Sequence, residues 1–306
     1  MFKERNFLSK YWLKYTDRGE YITYKYDLAN YKKNARLDGL VNSDRLTDIK
    51  KIKSFADEHK QLNLIHSGNA GDIIYALATI KKMQEITAVP INLYFKLGQP
   101  LLIDPKYTHP LGNVMLNQKM VDMLHPLISS QPYINNCESF INQRINIDMD
   151  YFRSGVVPLD KGNIARWCSY ITGINPQLWK KWLFVEPDTT YADTIVIARS
   201  ERYRNHLIDH SFLNKYPNKV FIGVQSEYKD MKKMLPDLKL VEVTDFLQMA
   251  RIIAGCKFFI GNQSFPFAIA EALKVPRILE PSFDVINVVP EGEDGYDFFF
   301  QSHFES

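Results

Sequence analysis

The chain reads as an α/β protein built from two doubly wound domains that face one cleft, with an N-terminal extension ahead of them. Three observations carry that reading. Short apolar runs of strand type alternate with segments of helical period in two successive sets, separated by the polar stretch 187–193. A tight turn, His66-Ser67-Gly68-Asn69-Ala70-Gly71-Asp72, follows the first strand-like run of the first set. A second polar turn, Gly261-Asn262-Gln263-Ser264, follows a strand-like run late in the second set. Residues 1–60 are assigned to a basic, aromatic extension packed on the first domain. Residues 61–188 form the first domain, and 189–306 the second with a C-terminal tail.

At 306 residues, with 45% hydrophobic and 24% charged, the chain has ample material for two buried cores. No apolar run approaches the roughly 18 residues that span a bilayer, and MFKERNFLSKYW lacks the apolar region of a secretory signal. The three cysteines, Cys137, Cys168 and Cys256, are scattered without metal-ligand spacing. These features predict a cytoplasmic protein without structural zinc, and nothing in them sets an oligomeric state. The net charge of +3 is uneven: residues 1–60 hold 14 basic and 9 acidic side chains, or +5 (14 − 9), interleaved with Tyr11, Trp12, Tyr15, Tyr21, Tyr24, Tyr26 and Tyr31. Such interleaving suits nucleic acid or sugar, and equally a solvated face.

The extension reads as irregular and then helical, with Leu46, Ile49, Ile52 and Phe55 at helical spacing and Ser43 or Asp44 as cap. Asn63-Leu64-Ile65 reads as a strand, the stretch bearing Ile73, Leu77 and Ile80 as a helix, and Ile91 to Phe95 as a second strand. A Pro- and Gly-containing loop runs to about Leu116, followed by a helix with Met120, Met123 and Leu124. A strand is expected over Ile145 to Asp150 and a helix over Gly162 to Thr172. The second set runs Thr194–Ala198 strand, Val220–Val224 strand, Tyr228–Leu235 helix, Leu240–Val243 strand and Asp245–Ala254 helix. It closes with strand Phe258-Phe259-Ile260, a small-residue helix through Leu273, and strand Arg277-Ile278-Leu279. Ser264 is placed to cap that helix and Pro266 suits its first turn, so its N–H groups would favour a phosphate. The acidic, aromatic tail after Pro290 is expected to pack back across the cleft.

Candidate chemistry gathers where strands end, the edge at which open α/β sheets bind ligands. Asp72 would be either a dipole-stabilising first-turn carboxylate or a general base for a hydroxyl, and His66 either a second base or a packed turn residue. Gly71 lets the turn close tightly. Arg199, Arg202 and Arg204 follow the first strand of the second domain. With Ser264 they would form a cationic pocket for a leaving diphosphate, removing the need for a divalent metal. Asp148-Met149-Asp150 has metal-motif spacing but reads more easily as a strand end, and no metal site is expected.

GDIIYALATIKKM resembles the N-terminal motif of the family 9, heptosyltransferase-like glycosyltransferases. DFLQMARIIAGCKFFIGNQSFPFAIAEALKVPRILE resembles their donor-domain pattern, in the same order and spacing. The resemblance implies the GT-B fold of two Rossmann-like domains. It also implies metal-independent, inverting transfer of a sugar from a nucleotide-diphosphate donor, with no cofactor. By position Asp72 would match the family base and Ser264 the hydroxyl residue at the donor diphosphate. Asn262 and Gln263 would line that turn, and Glu271 and Glu280 would contact ribose or sugar, although Glu271 reads equally as an exposed helix residue. Where the family has Asp-Thr-Gly-Leu-x-His, this chain has Gln263-Ser264-Phe265-Pro266-Phe267-Ala268, which leaves the donor base and sugar open. The acceptor is equally open: a glycan, a lipid-linked glycan or a modified base in DNA. The Gly-Asp turn also resembles that of pyruvyltransferases, without their Arg-x-His. Nucleotide-sugar epimerisation and a non-catalytic nucleotide-binding module are further readings of the same architecture.

Overall fold

The computed structural model describes residues 2–41, 45–101, 112–155 and 157–306. The chain opens with two helices, α1 (Phe7–Thr16) and α2 (Arg18–Val41), which pack chiefly on each other through Leu13 and Tyr24. Helix α3 (Ile49–His59) starts at Asp48, whose carboxylate accepts from the Lys51 N–H at 2.9 Å. Leu46 therefore precedes the helix instead of beginning it, and the expected caps Ser43 and Asp44 lie outside the described residues.

The first sheet is formed by β1 (Leu62–His66), β2 (Ile91–Phe95), β3 (Asn136–Ser139) and β4 (Ile147–Asp148), in the order β3-β2-β1-β4 and parallel throughout. Helices α4 (Ala70–Thr87) and α5 (Gln118–Ser129) belong to this half. The expected 162–172 helix is a 3-10 turn over Ile164–Arg166 followed by α6 (Trp167–Thr172).

The second sheet uses β5 (Ile195–Ala198), β6 (Lys219–Phe221), β7 (Lys239–Leu240), β8 (Phe258–Asn262), β9 (Arg277–Glu280) and β10 (Gly295–Asp297), in the order β10-β9-β8-β5-β6-β7. All its pairings are parallel. Its helices are α7 (Gln225–Met234), α8 (Phe246–Gly255), α9 (Phe265–Leu273) and the terminal α10 (Gln301–Glu305). The tail first reaches back to the other half, where Glu291 accepts from Asn163 at 3.1 Å and from Arg166 at 2.9 Å. It adds β10 beside β9 and returns through α10, where Phe304 stacks on Phe298 with ring centroids 4.0 Å apart.

Helices α4 and α9 join the halves. Along α4, ten residues from Ala70 to Met83 are buried, including consecutive ones from Ile73 to Ile80. A helix apolar on all sides is one covered on all sides: α3 packs on one flank and α9 on another, within one continuous core that reaches from Ile52 to Val288. Trp182 is wedged at the seam. Its indole N–H donates to the Ile74 carbonyl of α4 at 2.9 Å, and its backbone N–H donates to Ala272 O of α9 at 3.0 Å. A second, smaller core around Ile197, Phe221 and Phe298 fills the other face of the second sheet.

Candidate functional site

The register of the first sheet sets Ile65 of β1 against Asp148 of β4, so His66 and Asp150 emerge at the same C-terminal edge. From there the chain turns through Ser67, Gly68 and Asn69 into α4. Asp72, third residue of that helix, accepts from the Asn69 N–H at 3.1 Å, while Asn69 Oδ1 has no donor among the described residues. The expected first-turn carboxylate is thus in place, and it has a partner the sequence did not reveal. Arg153, from the 3-10 turn after β4, donates to Asp72 Oδ2 and lies 3.3 Å from Asp150 Oδ1. Asp150 also accepts from the Ser67 N–H.

This quartet is held by complementary charge yet stays partly open: 23% of the Arg153 side chain, 13% of Asp72 and 12% of Asp150 are exposed. Burial pushes the Asp150 carboxyl up. The His66 ring, the Ser67 hydrogen bonds and the Arg153 guanidinium together outweigh it and hold the group below its ordinary value. Burial raises Asp148. His66 is fully buried, as its packed reading required. Its Nδ1 accepts from the Gly68 N–H at 3.0 Å when the ring is neutral, and is 3.5 Å from Asp150 Oδ1. Nε2 has no partner among the described residues, so one polar atom of a buried ring stays unsatisfied beside Asp72.

Gly68 makes the convergence possible. A Cβ there would lie 2.7 Å from Asp72 Oδ2, 2.8 Å from His66 Cε1 and 2.9 Å from an Arg153 guanidinium nitrogen. Gly71 serves the seam: its Cβ position is 3.7 Å from Phe265 Cα and 4.0 Å from Ala268 Cβ, so the first turns of α4 and α9 abut. The two helices run parallel, since Ile74 and Ala272 are bridged further along by Trp182. Both positive dipole ends therefore meet beside Asp72, an arrangement that favours negative charge between them.

Ser264 stands at the N-cap of α9 with Pro266 in the first turn, but its hydroxyl donates to the Asn262 carbonyl at 3.2 Å and caps nothing. The N–H groups of Phe265 and Phe267 are left without acceptors among the described residues. Asn262 and Gln263 are fully engaged as loop braces. Asn262 Oδ1 accepts from the Ser200 N–H at 2.9 Å and its amide donates to the Arg202 carbonyl at 2.8 Å. Gln263 bonds Ser282 N, Val285 O and Asn287.

The three arginines separate into different environments. Arg199 is buried and donates both arms of its fork to Glu280, at 2.6 and 2.7 Å; the two side chains are 7% and 1% exposed. Glu280 also accepts from the Asn205 N–H at 2.5 Å, with His210 Nε2 3.6 Å away. Arg204 pairs with Asp230 at 3.0 Å. Arg202 is partly exposed, its guanidinium 4.6 Å from the centre of the Tyr203 ring, and makes no ion pair among the described residues. Glu271 is neither exposed nor cleft-facing. It is buried at the far end of α9, bound to Arg277 at 2.5 Å and to Lys274. Burial depresses that lysine to about 8.

Structure thus brings Gly71, Asp72, His66 and Ser264 to one seam and sets Arg202 at the adjoining edge of the second sheet. Arg199, Glu271 and Glu280 are absorbed in buried ion pairs, and Arg204 pairs with the exposed Asp230. Arg153 escaped the sequence reading, and Asp150 was read only as the end of a strand; the run Asp148-x-Asp150-x-x-Arg153 at the end of β4 was the available signal. Among the described residues no group of three or more His, Cys, Asp or Glu side chains is arranged to hold a metal ion.

No protein-family model matches the sequence, and no curated protein matches it. Its fold does have relatives among solved structures. A glycosyl transferase of family 9 from Veillonella parvula superposes with a TM-score of 0.53 at 10% identity, over 78% of this chain and 86% of that one. The E. coli heptosyltransferase WaaC, solved with ADP, gives 0.50 at 10% identity, over 78% and 90%. At such identity the likeness is one of fold: two parallel α/β sheets in the GT-B arrangement of these glycosyltransferases.

Proposed function

We propose that the chain is a glycosyltransferase that moves a sugar from a nucleotide-diphosphate donor to an acceptor hydroxyl, with inversion, without a metal or other cofactor, and in the cytoplasm. The observation that carries it is the seam: Gly71 seated on Phe265 and Ala268, which sets Asp72 beside the uncapped start of α9. Asp72 takes the acceptor hydroxyl proton as that oxygen forms its bond to the anomeric carbon. The bond from that carbon to the diphosphate oxygen breaks, and the nucleoside diphosphate departs with the electron pair. The N–H groups of Phe265 and Phe267, with Arg202, stabilise the charge that develops on it. Arg199, Arg204, Asn262 and Gln263 hold the loops around the diphosphate. Arg153, bonded to Asp72 Oδ2, orients the base for the acceptor.

The Asp72–Arg153 pair also supports a second reading, a nucleotide-binding module without catalysis, because the pair already engages a carboxylate oxygen that an acceptor hydroxyl could use. Two measurements separate the readings. UDP, ADP, GDP and CMP are screened for a rise in thermal stability, since binding to the native state raises it. Nucleotide sugars of the base that binds are then tested for release of free nucleoside diphosphate with glycan, lipid-linked glycan and modified-DNA acceptors. Asp72→Asn is expected to lower release by roughly 100- to 10,000-fold with nucleotide affinity nearly unchanged. Equal release would remove Asp72 as base; binding with no release from any donor would leave the module.

A further inference from the structure

Helix α1 carries Phe7, Leu8, Tyr11, Trp12 and Tyr15, each between 54% and 77% exposed. At 3.6 residues per turn these five side chains occupy one continuous arc, and Leu13, the residue buried against α2, lies opposite it. The arc therefore faces away from the rest of the chain. Phe7 stacks on Tyr11 at 6.2 Å between ring centroids, and Tyr11 lies 4.8 Å from Tyr15, so the patch is contiguous. Contiguous exposed apolar patches mark contact surfaces.

Charge decides what the surface contacts. Lys10 and Lys14 border the arc, and α1 contains no acidic residue. Residues 2–16 hold Lys3, Arg5, Lys10 and Lys14 against Glu4 alone, a net +3 (4 − 1), and Glu4 is paired with Lys10 at 2.7 Å. We propose that α1 lies flat on an anionic lipid surface, with its aromatic arc at the boundary between headgroups and acyl chains. Tyrosine and tryptophan rings, apolar in body and polar at one end, favour that boundary, and neighbouring lysines answer anionic headgroups. A second copy of the chain would set Lys10 and Lys14 against like charge with no carboxylate on α1 to answer them. A nucleic acid would stack on the rings, but Leu8 within the arc gives it neither stacking nor a phosphate contact. Helix α1 has ten residues, and among the described residues no helix is long and apolar enough to cross a membrane. Contact of this kind is therefore with the surface.

The test is flotation of the full chain with phosphatidylcholine vesicles, with and without phosphatidylglycerol. Partitioning is expected to be on the order of 100-fold stronger to the anionic vesicles and to weaken steeply with salt. Trp12→Ser with Tyr15→Ser should reduce it at least about tenfold, and Lys10→Glu with Lys14→Glu should abolish the anionic preference. Trp12, Tyr15 and Lys14 are exposed and Lys10 is partly so, and an unchanged far-UV spectrum checks the fold. Equal partitioning to both vesicles, or undiminished binding by Trp12→Ser/Tyr15→Ser, overturns the proposal. So does a concentration-dependent dimer lost in that variant, or salt-sensitive DNA binding without vesicle binding.

Discussion

Each parallel sheet ends at its C-terminal edge in a cluster of the same three side-chain types, an arginine, carboxylates and a histidine. At the first edge Arg153 bridges Asp72 and Asp150 beside His66. At the second, Arg199 grips Glu280 beside His210. The difference is closure. In the second cluster Arg199 meets both oxygens of one carboxylate, the Asn205 N–H adds a further bond to one of them, and both side chains are buried. In the first, one arginine is divided between two carboxylates, and all three are partly exposed. A sealed ion pair cannot exchange partners with a ligand without exposing uncompensated charge. A divided, half-open one can, and this supports proposing the chemistry at Asp72 and not at Arg199.

The sharpest break of this comparison removes one partner from each cluster. Glu280→Ala strands a buried guanidinium and is expected to cost about 3–5 kcal/mol in urea unfolding. Arg153→Ala, where both partners keep access to water, should cost no more than about 1 kcal/mol. Comparable losses would mean the two edges are equally structural.

A second difference concerns protons. Burial, helped by the nearby Arg199 charge, depresses His210 from its ordinary 6.5 to about 3. The unfolded chain therefore takes up a proton near pH 6.5 that the folded chain refuses until about pH 3. Its stabilising contribution is complete above pH 6.5 and falls as pH drops through that window. His210→Phe keeps the ring contact with Phe304 and should flatten the loss between pH 6.5 and 4 by up to a few kcal/mol. An unchanged acid limb would place the loss elsewhere.

The smallest change acts on the open cluster alone. Gly68→Ala drives a methyl into Asp72, His66 and Arg153 and should cost roughly 1–3 kcal/mol. It should also slow transfer while leaving nucleotide-induced stabilisation intact. Full activity would show that the quartet's geometry does not matter.

These clusters were unequally legible in the sequence. The turns at Gly71-Asp72 and Asn262-Gln263-Ser264 stood out because strand, turn and helix are contiguous there and each carries its own period. Arg153 was invisible because it meets Asp72 only through the β1–β4 pairing, and β4 is just two residues long. Arg199 was visible, but not its partner: nothing local says that Glu280, at the end of another strand, arrives by the register that sets Asn262 against it. Helix α2 was read as irregular because it is exposed on nearly every side and has no apolar stripe to reveal its period. Position on the sheet edge was predictable, but the question of which charges cancel was settled by pairing between distant segments.

The Trp182 wedge bears on how the molecule assembles. Its indole is held by Ile74 and its backbone by Ala272, partners from opposite ends of the chain. During synthesis the first sheet can form as soon as its strands emerge, while the seam waits for α9, which is made after all four of those strands and after β5 to β8. Joining of the halves is therefore a non-local step whose loop-closure entropy is met only after α9 has followed the first sheet. Until then the apolar flank of α4 that α9 will cover stays open to solvent, making the interval before Trp182 docks the one in which the nascent chain is most exposed to aggregation.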